Sequence, residues 1–112
     1  MPFYNLNEME GAVISPGHST AHGPTVRGNE LELGYYTEPK DTGAKPHKHK
    51  SEQIMMVLSG KLRMRIDDET RDIGPGEVAI MTSDQEHEQF ALEEGTRFVS
   101  FKTADGAQPE NE

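Results

Sequence analysis

Two histidines one residue apart open the part of the sequence that could carry chemistry. His47, His49 and Gln53 follow one another at intervals of two and four residues, and an apolar run then leads to Gly60. In an extended chain every second side chain points to the same side, so these three side chains share one face of a strand. Imidazole nitrogens and an amide oxygen can bind one metal ion together. Glu52, chemically the more obvious ligand, has the opposite parity and should point away.

A further candidate ligand, His87, comes after the turn Gly74-Pro75-Gly76 and a predicted strand at 77–81. We expect an adjacent strand to bring its imidazole beside the others. The predicted site then holds one divalent metal ion through three imidazoles and one amide oxygen, all of them neutral. The chain has no cysteine, which excludes a thiolate site and a disulfide framework.

Such a ligand set leaves the full charge of a divalent ion at the site and, in an octahedral geometry, two open positions. These positions suit a bidentate anion such as a hydroxy- or keto-carboxylate, or a water together with a substrate. Nitrogen and oxygen ligands fit Mn, Fe, Co, Ni or Zn, and the sequence does not choose among them.

The elements that must position these residues are short strands. Gly and Pro signals divide the chain into pieces, and no amphipathic helix of useful length fits between them. We predict strands at 31–36, 53–58, 61–66, 77–81 and 97–102. In the third of these, Leu62, Met64 and Ile66 alternate with Arg63 and Arg65, so one face is core and the other is not. Many short strands in 112 residues indicate one all-β antiparallel barrel or sandwich.

The stretch from His47 to Gly60 resembles the first conserved motif of the cupin superfamily, G-x5-H-x-H-x(3,4)-E-x6-G. Gln53 occupies the usual glutamate position, and Gly43 stands closer to the histidines than the first glycine of the motif. His87 with its preceding Gly-Pro-Gly turn resembles the second motif, G-x5-P-x-G-x2-H-x3-N, without the final asparagine.

This resemblance covers about residues 30–102 and implies a small single-domain cupin β-barrel, the double-stranded β-helix or jelly roll. It also implies the metal ligands His47, His49, Gln53 and His87. We divide the single domain into an N-terminal segment with the first strands (1–29), the conserved barrel (30–104) and a disordered acidic tail (105–112).

Charge and hydropathy limit the partners. A net charge of -9 argues against nucleic acid, and no long apolar run predicts a membrane span. The first residues lack the pattern of a signal peptide, so we expect a cytoplasmic protein. Eight of the eleven basic residues lie within 40–71. They form either a solvated edge or a region that attracts an anionic ligand toward the histidines.

Several side chains could line a ligand pocket, although the methionines could equally fill the barrel core. On the last strand, either Val99 and Phe101 or the alternate residues point inward. Arg63 and Arg65 suit a dimer or surface role better than substrate binding. Glu86 and Glu88 alternate away from His87, so we do not assign either of them as a general base. His18 and His22 have no assigned role. The pocket candidates are Met55, Val57, Met64, Met81, Phe98, Ser100 and Lys102.

The resemblance implies a metal-dependent enzyme that polarises a carbonyl or hydroxyl of a small, polar, anionic metabolite. Such an enzyme would be an isomerase, a lyase or a sugar-acid processing enzyme. A small cupin of pectin and alginate breakdown, which linearises unsaturated uronates, is similar in size and ligand set. That family is expected to use an acidic residue on the last strand and an arginine just beyond it. Here 97–102 has no carboxylate, and Asp105 stands near the arginine position. An Fe(II) dioxygenase with an apolar pocket and a non-catalytic binding protein are the alternatives.

The apolar side chains of the strand at 53–58 also predict that the protein forms an oligomer. Ile54, Met56 and Leu58 point away from the proposed metal, and we expect a second sheet or a partner subunit to cover them. Cupins are commonly homodimers joined through barrel sheets, so the resemblance implies a second copy of the chain. The alternative is that residues 1–14 fold back over this face.

Overall fold

The computed structural model describes residues 2–13 and 20–104, and within them the regular structure is β-strand apart from one short 3-10 helix, Leu6–Glu8. His18 and the predicted tail at 105–112 lie outside the described residues. No helix among the described residues is long and apolar enough to cross a membrane. The strands are β1 (Ala12–Val13), β2 (His22–Gly23), β3 (Thr25–Arg27), β4 (Leu31–Glu38), β5 (Gly43–His47), β6 (Gln53–Ser59), β7 (Leu62–Ile66), β8 (Glu69–Ile73), β9 (Val78–Met81), β10 (His87–Ala91) and β11 (Thr96–Thr103).

The strands form two antiparallel sheets. The first has the order β1-β2-β4-β11-β6-β9, with β3 also paired to β4, and the second has the order β5-β10-β7-β8. Their inner faces enclose one hydrophobic core, which includes Tyr36, Leu62 and Phe98. This arrangement confirms the predicted all-β jelly-roll barrel.

All five predicted strands are present, with ends that differ by one or two residues. Strands β1, β2, β3, β5, β8 and β10 were not predicted. Three of them have only two or three residues, and β8 is exposed at every position except Ile73. Pairing with a neighbouring strand, rather than the local pattern of hydrophobicity, stabilises such segments.

Strand β6 shows the predicted alternation. Met55 and Val57 are buried, whereas Ile54 and Leu58 on the outer face are 37% and 38% exposed. The expectation that a second sheet covers this outer face is wrong, because within the described residues the second sheet packs only on the inner side. Residues 2–13 contact the same face on its β4 side: the hydroxyl of Tyr35, which is in the cross-strand row of Val99 and Met56, donates a hydrogen bond to Asn7 Oδ1 over 3.3 Å. Ile54 and Leu58 stay exposed beside this contact.

Strand β11 lies between β4 and β6, and the exposure of its side chains shows which of them face inward. Phe98 and Ser100 are 2% and 3% exposed, and the Phe98 ring meets Tyr36 edge to face with centroids 5.9 Å apart. Phe101 is 43% exposed on the outer side. The inward set is therefore Phe98, Ser100 and Lys102.

Gly60, the last residue of the first motif, ends β6 in a tight turn. Its φ of +79° lies in the left-handed region, and an added Cβ would come within 2.4 Å of Thr96 Oγ1. Any other residue would be strained here and would collide with β11.

Candidate metal centre

Three histidines converge at one end of the barrel. His47 ends β5, His49 follows in the next loop, and His87 begins β10 directly opposite His47. The ring centroids of His47 and His87 are 4.3 Å apart, and those of His49 and His87 are 4.9 Å apart. One ring nitrogen from each histidine lies within 4.8 Å of the others, a group that could hold a metal ion.

Backbone carbonyls fix the orientation of all three rings. In each case Nδ1 lies within hydrogen-bonding distance of a carbonyl oxygen two residues away. Because a carbonyl oxygen only accepts, Nδ1 carries the proton and Nε2 is the acceptor nitrogen of each ring. Such contacts are typical of metal-binding histidines. The distances are 2.6 Å from His47 to Lys45, 2.9 Å from His49 to Ser51 and 3.0 Å from His87 to Gln85.

His87 is the most enclosed member of the group. It is 2% exposed, and its Nε2 has no hydrogen-bond partner within the described part of the chain. An unsatisfied buried polar atom costs about 1–3 kcal/mol. A cation bound between the rings would satisfy this nitrogen, so the cluster fits a metal ion.

Gln53 faces the same centre from the first sheet. The expectation that it shares one strand face with His47 and His49 is therefore wrong, because residues 48–52 form no strand and the chain changes sheets between β5 and β6. Its side-chain Nε2 donates a hydrogen bond to Ser100 Oγ over 2.7 Å, which turns Oε1 to 3.2 Å from His49 Nε2. With Nδ1 of His49 protonated, both of these atoms present lone pairs. Neighbouring ligand atoms at right angles around one ion, each bonded over about 2.1 Å, would lie about 3 Å apart. The observed spacing matches that arrangement.

Burial keeps the imidazoles of His49 and His87 neutral. The pKa of His87 is lowered from 6.5 to about 4, mainly by burial, with smaller contributions from His47, His49 and Lys102, whereas its hydrogen bond to Gln85 has the opposite effect. Burial also lowers the pKa of His49. Neutral imidazole is the form that binds metals, so these histidines are ready to bind at neutral pH.

Lys102 of β11 places a positive charge near the histidines, where it lowers the pKa of His49 and His87. It lies directly opposite Gln53 of β6 and is half-buried. Burial lowers its pKa, whereas the charge of Glu32 raises it. Over the described ranges, no hydrogen bond or ion pair of its ammonium group is found.

The other pocket candidates divide into two groups. Ser100 reaches the polar end through its bond to Gln53. The apolar ones belong to the hydrophobic core and are at most 3% exposed, so they fill the barrel interior. These are Met55, Val57, Met64, Met81 and Phe98.

Several polar candidates lie away from the cluster. Glu52 is exposed, as its parity predicts. Glu86 and Glu88 form ion pairs with Arg65 over 2.8 and 3.4 Å. His22 is exposed on β2 and is not a member of the histidine group.

Within the described residues, half of the eight basic residues at 40–71 form ion pairs with acidic residues, namely Lys50, Arg63, Arg65 and Arg71. Lys50 binds Asp84, Arg63 binds Asp72 and Arg71 binds Glu69, over 2.8 to 3.0 Å. These contacts favour the solvated-edge interpretation over attraction of a ligand by this segment.

Two residues near the site escaped the sequence reasoning. Glu32 is only 6% exposed, and its Oε1 accepts hydrogen bonds from Arg27 Nη2 and Nε over 2.6 and 3.1 Å. The alternation Leu31, Glu32, Leu33 predicts the opposite orientation, with the leucines buried and the carboxylate in water, so it pointed away from Glu32. Arg27 gave no signal, because the short strand β3 was not predicted.

Comparison with known proteins identifies this architecture. The model of the cupin domain, Cupin_2, matches residues 34–100. Because that span is more than half of the chain, the protein belongs to the Cupin_2 family of the cupin superfamily, as the motif resemblance implied.

Three solved structures share the fold. KdgF from Halomonas sp. aligns over 96% of both chains with a TM-score of 0.83 and 19% identity. The polyketide cyclase RemF from Streptomyces resistomycificus aligns over 97% of this chain and 83% of its own, with a TM-score of 0.84 and 17% identity. Oxalate decarboxylase from Bacillus subtilis, a protein with Mn(II) centres, aligns over 97% of this chain and 30% of its own, with a TM-score of 0.73 and 24% identity. At these identities the likeness establishes the fold alone.

We predict that the metal-free protein loses stability in mild acid because of His87. Its folded pKa of about 4 lies below the ordinary value of 6.5, so the unfolded chain takes up the proton first. Stability is then complete above about pH 6.5 and falls as the pH drops toward 4. For this histidine the loss in unfolding free energy between pH 7.5 and 4.5 should be roughly 2–3 kcal/mol.

Urea unfolding of chelator-treated protein at both pH values measures this loss. His87→Gln should show a smaller loss than the wild type, whereas His22→Gln, at an exposed histidine, should show the same loss. Equal acid sensitivity in the wild type and His87→Gln would contradict the assignment.

Proposed function

We propose that this cupin binds one divalent metal ion through His47, His49, Gln53 and His87 and acts as a metal-dependent enzyme on a small, polar, anionic metabolite. The observation that carries the proposal is the convergence of three Nε2 lone pairs and Gln53 Oε1 on one centre. When bound, the metal supplies a Lewis acid that polarises a carbonyl or hydroxyl. The reaction class would be isomerisation, elimination or sugar-acid processing.

Charge supports an anionic ligand. All four proposed metal ligands are neutral, and Lys102 adds a positive charge beside Gln53. The nearby carboxylate, Glu32, is held by Arg27. An anionic metabolite therefore meets net positive charge at this end of an otherwise acidic protein.

The residues of the chain have separate roles in this proposal. The carbonyls of Lys45, Ser51 and Gln85 hold the imidazoles, and Ser100 holds the Gln53 amide. Lys102 orients the anionic group of the ligand. The packed core beneath them limits the ligand to the polar end of the barrel.

The packing of the core favours this function over an Fe(II) dioxygenase. Met55, Val57, Met81 and Phe98, which would line the apolar pocket of such an enzyme, are packed against one another in the core. The side chains left at the site are polar. A non-catalytic binding protein would use the same site, and turnover of an identified ligand separates the two functions.

The relatives guide the choice of metal and substrate. The Mn(II) centres of oxalate decarboxylase make manganese the first metal to test, before Fe, Co, Ni and Zn. KdgF matches nearly the whole chain. Uronate linearisation, which the resemblance to the small cupin of pectin and alginate breakdown suggests, is expected to need a carboxylate on the last strand. Strand β11 has none, so we do not propose that activity. Metal analysis of the purified protein, followed by a thermal-shift screen of metabolites, tests the proposal.

We also propose that the protein is a homodimer in the cytoplasm. On the outer face of the first sheet, Ile54 of β6 lies between Ile80 of β9 and Phe101 of β11, and all three are 37–53% exposed. In the next row Met56 lies between Val78 and Val99. A contiguous apolar surface of this kind is typical of an interface.

A second copy of the chain is the occupant that the charge favours. These two rows contain no charged side chain, so two copies of an acidic protein can approach here without repulsion between like charges. A two-fold axis would place the same patch on both partners.

The first prediction from this proposal concerns His49. Replacing it with alanine removes a ligand nitrogen, and we expect metal affinity to fall by about 100-fold or more. Elemental analysis after dialysis measures the loss. Glu52→Ala is the matched control, because that exposed carboxylate points away and metal content should stay unchanged. Stoichiometric metal in His49→Ala would rule out this ligand set.

The second prediction concerns Gln53. Gln53→Glu should keep the metal and bind it more tightly, because a carboxylate adds an anionic ligand. The same charge should weaken the binding of anionic ligands, measured by calorimetry on metal-loaded protein. Loss of metal in this variant would show that the Gln53 oxygen is not a ligand.

The third prediction concerns assembly. Each large apolar side chain covered at the interface contributes roughly 1.5–3 kcal/mol. Sedimentation at micromolar concentration should give about twice the monomer mass, and Met56→Lys should shift the protein toward monomer with its metal retained. Arg63→Ala on the opposite sheet should stay dimeric. A wild type that remains monomeric at high concentration would refute the interface.

A further inference from the structure

A row of polar and charged residues crosses the inner face of the first sheet beside the metal centre. Arg27 of β3 pairs in register with Glu32 of β4, Glu32 pairs with Lys102 of β11, and Lys102 pairs with Gln53 of β6. Side chains directly opposite each other on neighbouring strands have Cβ atoms about 4.5–5.5 Å apart. Lys102 therefore stands between a carboxylate and a proposed metal ligand.

Within this row Glu32 is bound to Arg27 and not to Lys102. Both Nη2 and Nε of Arg27 donate to Glu32 Oε1, over 2.6 and 3.1 Å. Arg27 thus holds the carboxylate on the side away from Lys102. The lysine remains half-buried, and in the part of the chain that the structure describes no ion pair neutralises it.

We propose that Lys102 is a second anion-binding position, so that the site selects small ligands with two acidic groups, of the dicarboxylate class. One carboxylate would lie at the open metal positions and the other at the Lys102 ammonium. Arg27 is a positioning residue, because it keeps Lys102 available by holding Glu32. This inference rests on the proposed metal function and adds the number of acidic groups in the ligand.

Two physical points support the assignment. A partly buried ammonium without a partner is costly, and an anionic group beside it offsets that cost. Removal of Arg27 would free Glu32, whose cross-strand position allows it to pair with Lys102 instead. The two cations of the row therefore have different roles: Arg27 holds Glu32, and Lys102 binds the ligand.

Calorimetry on the manganese-loaded full chain tests the preference. The probes are malonate and succinate as dicarboxylates and acetate and propionate as monocarboxylates. A charge-assisted hydrogen bond predicts that the better dicarboxylate binds about tenfold or more tightly than either monocarboxylate. Lys102→Met should remove this preference while leaving the metal content unchanged. Lys102→Arg should keep most of it, and Lys61→Met, at an exposed lysine outside the row, should keep all of it.

A double-mutant cycle tests the role of Arg27. Arg27→Met should reduce the preference for dicarboxylates nearly as much as Lys102→Met, although Arg27 does not meet the ligand. Adding Glu32→Gln to Arg27→Met should restore the preference, because the neutral amide no longer pairs with Lys102. A merely structural role of Arg27 would give no such rescue, and its absence would overturn the positioning role.

The outcomes separate this inference from the proposed function. A wild type that holds manganese but binds acetate as tightly as malonate and succinate would overturn the inference and leave the metal site standing. A preference that persists in Lys102→Met would assign the second acidic group to another residue. A wild type that binds no metal would overturn both.

Discussion

The structure depends on one constraint: three acceptor nitrogens have to face one another inside a barrel that buries two of their rings. Free imidazoles would avoid this arrangement, because each could turn its lone pair to water. The hydrogen bonds from Nδ1 to nearby carbonyls prevent that rotation and fix the tautomer of every ring. Desolvation then suppresses protonation, which would otherwise satisfy the nitrogens. A cation is the partner that fits this geometry. Because folding already orients the rings, little further ordering is needed when the cation binds.

The two sheets meet this constraint with different residues. The second sheet supplies His47 and His87 from adjacent strands, so their relative position is fixed by backbone pairing. The first sheet supplies Gln53, whose amide is oriented by Ser100 on the next strand. A short row of charged side chains extends from Gln53 across β11 and β4 to β3. Ligand recognition and metal binding would therefore use neighbouring residues of one cross-strand row. A substitution at one of these residues would alter the position of the next.

The outer faces of the two sheets differ strongly in polarity, although their inner faces share one hydrophobic core. The second sheet carries ion-paired arginines and carboxylates, which suit contact with water. The first sheet carries aliphatic and aromatic side chains on β6, β9 and β11. This asymmetry gives the molecule one surface suited to a second subunit, directly behind the strand that bears Gln53. The proposed interface and the proposed site would thus lie on the two faces of the same strand.

The sequence by itself determined the barrel class, the five longer strands and the candidate ligands His47, His49, Gln53 and His87. Those features follow from residue type, from local alternation and from the spacing of turn residues, which a single chain displays directly. Only the tertiary structure decided that Gln53 reaches the histidines from the other sheet, which face of β11 points inward, and that Glu32 and Arg27 lie beside Lys102. These depend on pairing between strands far apart in the chain, in particular with the short strand β3. A strand of three residues has no pattern of its own to read, because its neighbours supply its stability.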